Sequence, residues 1–463
     1  MPLLTRDDRA SSILNFPFDS AWKSCFTYFE KESNCGTREE KCMKKLVMLS
    51  LVAFAVVGLV LPVFASGGQE AANGEVVLTF PTFWVGQDSK AAGLAELVEE
   101  FNAMHEGEIE VVIEPNPDTD GYRDKLNTQL ATGSAPDIFI LSLDPTTIQY
   151  YESDILMDFT DDITGSWRED FQESYLTEST AGGRLKTVPY EIGITPIWYN
   201  MNLLNRAGWD APPATMDEFM QMADDLKAEG IVPTSQMTGG ANAWTSMLWY
   251  SHILGSLGGP DVWDRPLTDP VYAEAAAVMQ QLYSDGNTTR DAVGGDAGVS
   301  GGHYLAENTA VFINGPWYVG RIRGDSPSAH QATALAASPQ VGDYSGHQVG
   351  FLLSNLAAAN TDDPAKRAAT VEFMRFMTDP DNVQRLSDSS GALFAVKYEL
   401  GPDADPLQRE FVRAASDASF VIGHLQSQFP IEVTQEFGQA LAALALGETD
   451  PEGFAEMLAD ANN

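Results

Sequence analysis

Asn314-Gly315-Pro316-Trp317, directly after the apolar run Ala310-Val311-Phe312-Ile313, is the strongest chemical feature of this 463-residue chain. Pro fixes φ and Gly permits a sharp bend, so the next side chain is held rigidly at a strand end. A fixed indole at a cleft edge can stack on the apolar face of a sugar ring. Sugar hydroxyls also demand paired donors and acceptors. Trp84 with Gln87 and Asp88 offers that combination of aromatic and polar groups a second time, and Trp244 with Asn242 a third. Most large aromatics are packing residues, and Trp198, Trp209, Trp249 and Trp263 are read in that way.

Such side chains need a scaffold. Residues 76–80 read as a buried strand and 90–105 as an amphipathic helix with Leu94, Leu97, Val98 and Phe101 on one face. Residues 109–113 read as a strand, 121–130 as a helix and 137–141 as a third strand, with Asp137 structural at its start. This rhythm predicts an α/β domain with a largely parallel sheet, in which ligands sit beyond the strand carboxyl ends. Phe83-Trp84 and the segment Ser142 to Asp144 fall there, so Asp144 is a candidate contact. Thr215 and Glu218 form a capping box. Further helices are expected over 272–283, 365–377, 406–418 and, as the last, 434–446; a Gly- and Asp-rich loop over 285–302; and a turn over 389–393.

Residues 1–42 show no clear period. Met43-Lys44-Lys45 then begins a basic segment, 46–60 is apolar, and Val63-Phe64-Ala65 has the small-residue pattern of a cleavage site. That is the layout of a signal peptide at 43–65, with 1–42 expected to be a misannotated upstream extension and 66–74 a linker. The apolar run is short for a membrane span and contains Gly58. Cys25, Cys35 and Cys42 all precede Met43, so the remainder has no disulfide, cysteine nucleophile, thiolate metal site or cysteine lipid anchor. Roughly 400 residues remain, more than one ordinary core organises, so two domains are expected. With 66 acidic against 27 basic residues, the net charge of −39 opposes nucleic acid and anionic membranes. Such a surface suits high salt, where screening relieves self-repulsion; it also fits an acidic exported protein of no special habitat.

Other motifs carry less. Gly298-Val299-Ser300-Gly301-Gly302 matches a nucleophile elbow in letters, but the elbow needs a strand before the Ser. The six histidines are scattered with no zinc spacing, and His303 and His347 read as isolated polar surface. Residues 285–296 lack the spacing of an EF-hand loop. Carboxylates are too many for any pair to indicate glycoside hydrolysis. Nothing calls for a cofactor or metal.

Taken in order, several landmarks resemble the extracellular solute-binding proteins of carbohydrate ABC importers (family 1, that of maltose-binding protein). They are the Gly133-x-x-Pro136-Asp137-Ile138 turn and strand, then Val188-Pro189-Tyr190 leading to Trp198-Tyr199-Asn200. Next come Leu203 to Trp209 with Pro212-Pro213-Ala214-Thr215, the Trp317 segment, and residues 365–377 with Asp379-Pro380. The resemblance implies an α/β, two-lobed, type II periplasmic-binding fold with an interlobe cleft. The N-terminal lobe would comprise 75–191 and 345–400, the C-terminal lobe 192–344 and 401–463, with crossings near Glu191, Tyr344 and Leu400. Trp317 would be the stacking residue, with Asn314 in the same motif. Tyr190 and Glu191 would lie beside the hinge, and Gly391 in a turn close to ligand with Leu393-Phe394. The implied protein is a periplasmic or extracellular, non-enzymatic monomer that binds a carbohydrate and docks on a membrane permease. The alternatives are a same-fold binder of a polyol, polyamine or metal complex, an exported glycoside-acting enzyme, or a sensor feeding a chemoreceptor.

Overall fold

The computed structural model describes residues 74–142, 147–239 and 243–462. The segments expected to be a signal peptide (43–65) and an upstream extension (1–42) lie outside them, as do Asp144 and Asn242. Strand Val76–Thr82 pairs in parallel with Ile109–Pro115, in register from Val76 opposite Ile109. A parallel pair needs a crossover, and helix Ala91–Met104 supplies it, burying Leu94, Leu97, Val98 and Phe101. Helix Thr119–Ala131 leads to the fully buried strand Ile138–Leu141. Asp137 ties the first and third strands together. Its Oδ2 accepts from Thr79 N at 2.9 Å and from Thr79 Oγ1 at 3.0 Å, and Lys366 lies 2.6 Å from Oδ1.

One largely parallel sheet does not form: the first two strands stand as a separate parallel pair, and the larger, five-stranded sheet is mixed. The long strand Gln348–Ala358 returns through it antiparallel to both Ile138–Leu141 and Val188–Ile194, and Leu393–Phe394 also runs antiparallel to Val188–Ile194. A chain that leaves one body, builds a second and comes back must re-enter in whichever direction its exit point dictates. The ladder of Gln348–Ala358 with Val188–Ile194 breaks register on both sides of Ser354, which faces Glu191. Such bulges re-aim side chains next to binding sites.

Two large apolar cores result. One gathers residues from Leu78 to Tyr190 and from Leu356 to Val396; the other runs from Ile197 to Val349 and from Ile422 to Leu458. A smaller cluster that includes Ile194, Trp198, Val319, Leu393 and Phe411 adds a third. In the second core, Ile197–Asn200 is flanked antiparallel by Val311–Ile313 and Thr333–Ala336. Around it pack Met216–Ala228, started by the Thr215–Glu218 capping box, and Trp244–Gly258, buried on nearly every side.

Several local expectations need correction. Residues 285–302 are not one loop: helix Ala297–Leu305 begins there, with Asp296 Oδ1 accepting from Val299 N at 3.0 Å. Its glycines permit close packing, since a Cβ on Gly301 would lie 2.5 Å from the Tyr318 hydroxyl oxygen. Ser300 is therefore a buried helix residue, not the tip of a strand-to-helix elbow. His347 is buried, and its Nε2–H donates to His252 O at 2.8 Å. Residues 389–390 close helix Pro380–Ser390, which Gly391 ends at φ +81. A final helix, Pro451–Ala461, follows the one expected to be last; Asp450 caps it and Pro451 opens it.

Candidate functional site

A cavity of about 420 Å³ lies beyond the carboxyl ends of the first three strands, where the sheet places ligands. Phe83, Asp88 and Lys90 reach it after the first strand, Pro117 and Asp118 after the second, and Ser142 after the third. Facing them from the second body are Trp244, Trp317 and the helix start at Asp296 to Gly298. Glu191, Phe351, Leu353 and Ser354 come from the paired long strands between the cores. A larger groove of about 1300 Å³ runs past Ile192–Ile194 and Tyr398 to Leu400, but no tryptophan lines it.

The wall of the cavity is aromatic. Trp317 lies in the tight turn Pro316–Tyr318, and its ring folds back over Gly315, where an added Cβ would meet the indole at 2.1 Å. Only glycine leaves room for that ring. Two bonds to Asn314 set the turn: Trp198 Nε1 donates to its carbonyl at 3.0 Å, and Gly315 N donates to its Oδ1 at 2.9 Å. Ser89 Oγ donates to the Trp317 carbonyl at 2.9 Å. The Trp317 ring lies 6.2 Å from Trp244 and 6.3 Å from Phe351, and Phe351 stacks on His424 at 5.3 Å. His424 is buried, which holds it neutral down to about 3; its Nε2 has no hydrogen-bond partner among the described residues.

The floor is charged. Lys90 Nζ lies 3.1 Å from Glu191 Oε1 and 3.4 Å from Asp88 Oδ1, with the Trp84 ring 5.2 Å away. Burial alone would pull the Lys90 ammonium down, but Glu191 and Asp88 outweigh it and hold the group above its ordinary value. Burial lifts Glu191 to about 7, with Asp88 adding to the rise and Lys90 opposing it. The two directions agree: one cation shared by two carboxylates is well satisfied, while the more buried carboxylate is not. Among the described residues, no three His, Cys, Asp or Glu side chains converge as a metal site.

With that geometry in hand, comparison with known proteins is informative. Residues 87–384, more than half of the chain, match the bacterial extracellular solute-binding protein family. The chain belongs to that family. Its fold is shared with a chitin oligosaccharide binding protein (20% identity, TM-score 0.78, covering 84% of this chain and 98% of that one). Maltose-bound MalE3 of T. maritima is also similar (22% identity, TM-score 0.71, 83% and 98% coverage). A probable sugar-binding periplasmic protein of Mesorhizobium japonicum is 23% identical over 146 residues, 31% of this chain and about a third (34%) of that protein. The fold is accordingly α/β and two-lobed.

In this solute-binding protein the cavity brings together four of the candidate contacts read from the sequence, Asp88, Glu191, Trp244 and Trp317, with Phe83 and Ser142 from the strand ends beside them. Others stand behind it. Trp84 is fully buried, 5.7 Å from the Tyr190 ring, and Tyr190 packs on Phe394 at 5.0 Å. Trp84 turned inward because the chain folds back at Val85, whose N–H donates to Phe83 O. Asn314 is buried beneath the Trp317 turn. Gly391 packs against Val319, where a Cβ would lie at 2.5 Å. Gln87 is exposed and borders a separate crevice with Arg321 and Asp325. Leu393 and Phe394 line the larger groove.

Lys90, Arg123, Phe351 and His424 line the cavity without a sequence signal of their own. The one available hint was the spacing Asp88-x-Lys90 ahead of an amphipathic helix.

Proposed function

We propose that this chain is an exported carbohydrate-binding protein that closes two lobes around a sugar and delivers it to an ABC importer. The observation that carries this reading is one cavity with an indole wall, Trp244 and Trp317, and a polar floor, Asp88, Lys90 and Glu191. Aromatic faces suit the C–H faces of sugar rings, and the floor suits their hydroxyls. The sugar-binding relatives support the same class. Asp88, Glu191, Trp244 and Trp317 are the proposed contacts, with Asp144 joining from the end of the third strand. Trp84, Tyr190, Asn314 and Gly391 support them from behind.

The lobes are proposed as 75–191 with 345–400 and 192–344 with 401–463; the two cores support this division except at Val349, which packs with the second core. Closure would be a hinge rotation at the crossing strands, and the closed monomer would dock on membrane permease subunits. Export would use residues 43–65 as a signal peptide, giving a free periplasmic or extracellular protein with no cysteine for lipid attachment.

Two alternatives fare worse. A glycoside-acting enzyme needs two free carboxylates opposed across the bond, whereas Asp88 and Glu191 share one ammonium and Asp296, which faces them, is engaged as a helix cap. A polyamine would have to displace Lys90 from the same acids. Tryptophan fluorescence of residues 66–463, titrated with a saccharide panel, tests the reading. A saturable shift for one saccharide class supports it; a folded protein silent to every saccharide moves the ligand to another solute.

A further inference from the structure

Helix Trp244–Gly258 runs from the cavity into the second core. Ala243 before it is held at φ +50, a left-handed conformation that is strained for a residue with a Cβ. Such strain persists only where the surroundings impose it, so packing fixes the direction in which Trp244 leaves. His424 hydrogen-bonds the Trp244 backbone.

About two turns along, the same helix meets both long strands that cross between the cores. His252 Nε2 donates to Thr195 O at 2.7 Å, just past the end of Val188–Ile194. Thr195 in turn donates through N and Oγ1 to Val349 O, at 3.0 and 3.1 Å, in the returning strand Gln348–Ala358. His347, next to that strand, donates from Nε2 to His252 O at 2.8 Å. Gly255 leaves room for the His347 ring, which a Cβ would meet at 2.8 Å. Thr195, His252 and His347 are all buried.

A carbonyl only accepts, so both imidazoles carry their proton on Nε2 and leave Nδ1 as a bare acceptor. Each Nδ1 is buried with no hydrogen-bond partner among the described residues. An apolar side chain of similar size would fill the His252 site without an unpaired acceptor. What histidine adds there is the donor to Thr195.

We propose that His252 is a positioning residue: through helix Trp244–Gly258 it ties contact at Trp244 to the two crossing strands, so that ligand capture drives the lobes together. The inference rests on the two-lobed carbohydrate reading above and adds the link between cavity and hinge. A ligand shifts an equilibrium only through contacts that differ between its two states. Trp244 supplies such a difference when the helix behind it is fastened to the strands that rotate. His252 lies about 12 Å along the axis from Trp244, at 1.5 Å per residue. A helix buried on nearly every side carries a displacement over that distance as one body.

The experiment compares the wild type, His252→Leu and His252→Gln with the saccharide that the wild type binds most tightly in a panel. Tryptophan fluorescence gives affinity, small-angle X-ray scattering gives compaction at saturation, and thermal unfolding checks folding. The wild type should bind and compact. His252→Leu should bind about tenfold more weakly, a usual size for coupling between sites, and compact incompletely even when saturated. A Gln amide can carry its N–H close to the place of Nε2, so His252→Gln should regain both. Trp244→Ala combined with His252→Leu should lose little more affinity than the worse of the two, because both break one linkage. If His252→Leu fails to fold, His252→Asn replaces it, polar but too short to reach Thr195, with the same losses expected. A variant of lowered stability that keeps full affinity and full compaction makes His252 a packing residue and overturns the proposal. Fully multiplicative losses in the double variant overturn it too. Folded wild type that binds no saccharide overturns the carbohydrate reading first, and this inference with it.

Discussion

Trp244, Trp317 and Phe351 build the cleft wall from rings 6.2 and 6.3 Å apart, whereas Asp88, Lys90 and Glu191 build the floor around one ammonium. The wall attracts in proportion to covered apolar area and tolerates many ring orientations. The floor is costly to bury and selective, because each charge must find a partner. On the proposed reading, a ligand gains most of its affinity from the first and its identity from the second. The difference teaches where a substitution should weaken capture and where it should weaken the fold.

The largest effect belongs to the floor. Lys90→Met leaves Glu191 buried without its cation and should destabilise the fold by about 3–5 kcal/mol at pH 8. The loss should shrink at pH 5, where Glu191 takes up a proton; thermal unfolding at the two pH values checks this. An equal loss at both would detach Glu191 from the floor.

Trp317→Ala acts on the wall. It should cost about 2–3 kcal/mol of ligand affinity, or about 30- to 150-fold, with little change in unfolding temperature, since Trp317 is only partly buried. Gly315→Ala tests the wall indirectly, because its new methyl would occupy the space of the indole. The ring must swing away, and affinity should fall about tenfold, by ~1.4 kcal/mol, with a shifted emission maximum. Unchanged fluorescence would show that the ring did not need that glycine.

A further effect, spread over several pH units and small at any neutral pH, separates wall from floor. His424 is held neutral down to about 3, against an ordinary value of 6.5, so the unfolded chain binds the extra proton in between. Its contribution to stability is present above 6.5 and is lost as pH falls toward 3, by roughly 1.4 kcal/mol per unit. Glu191 has the opposite sign. Raised from 4.5 to about 7, its contribution is present below 4.5 and is lost as pH rises through 7. Acid unfolding of His424→Gln should be less steep than wild type, and that of Glu191→Gln should not.

The same contrast explains what the sequence disclosed. Gly315-Pro316-Trp317 is legible because backbone chemistry and side chain point to one geometry. Helices with an apolar face and an Asp or Thr cap, such as Met216–Ala228, are legible for the same reason. Lys90 was not, since a lysine before a helix reads as a solvated end until Glu191 is brought to it from 101 residues away. Trp84 drew attention through its place after a strand, but the turn at Val85 sends the ring into the core. The mixed sheet depends on where Gln348–Ala358 returns, which no local pattern encodes. Pro451–Ala461 carried the same Asp-Pro start as Pro380–Ser390 and was within reach of sequence reasoning.

The central claim is that this cavity captures a sugar between an indole wall and a charged floor. Fluorescence titration of the wild type and Trp317→Ala with the saccharide panel tests it most directly. The account predicts saturable binding of one saccharide class by the wild type and a loss of about 30-fold or more in the variant. Equal saccharide affinity in the two proteins, both shown to be folded, would contradict it.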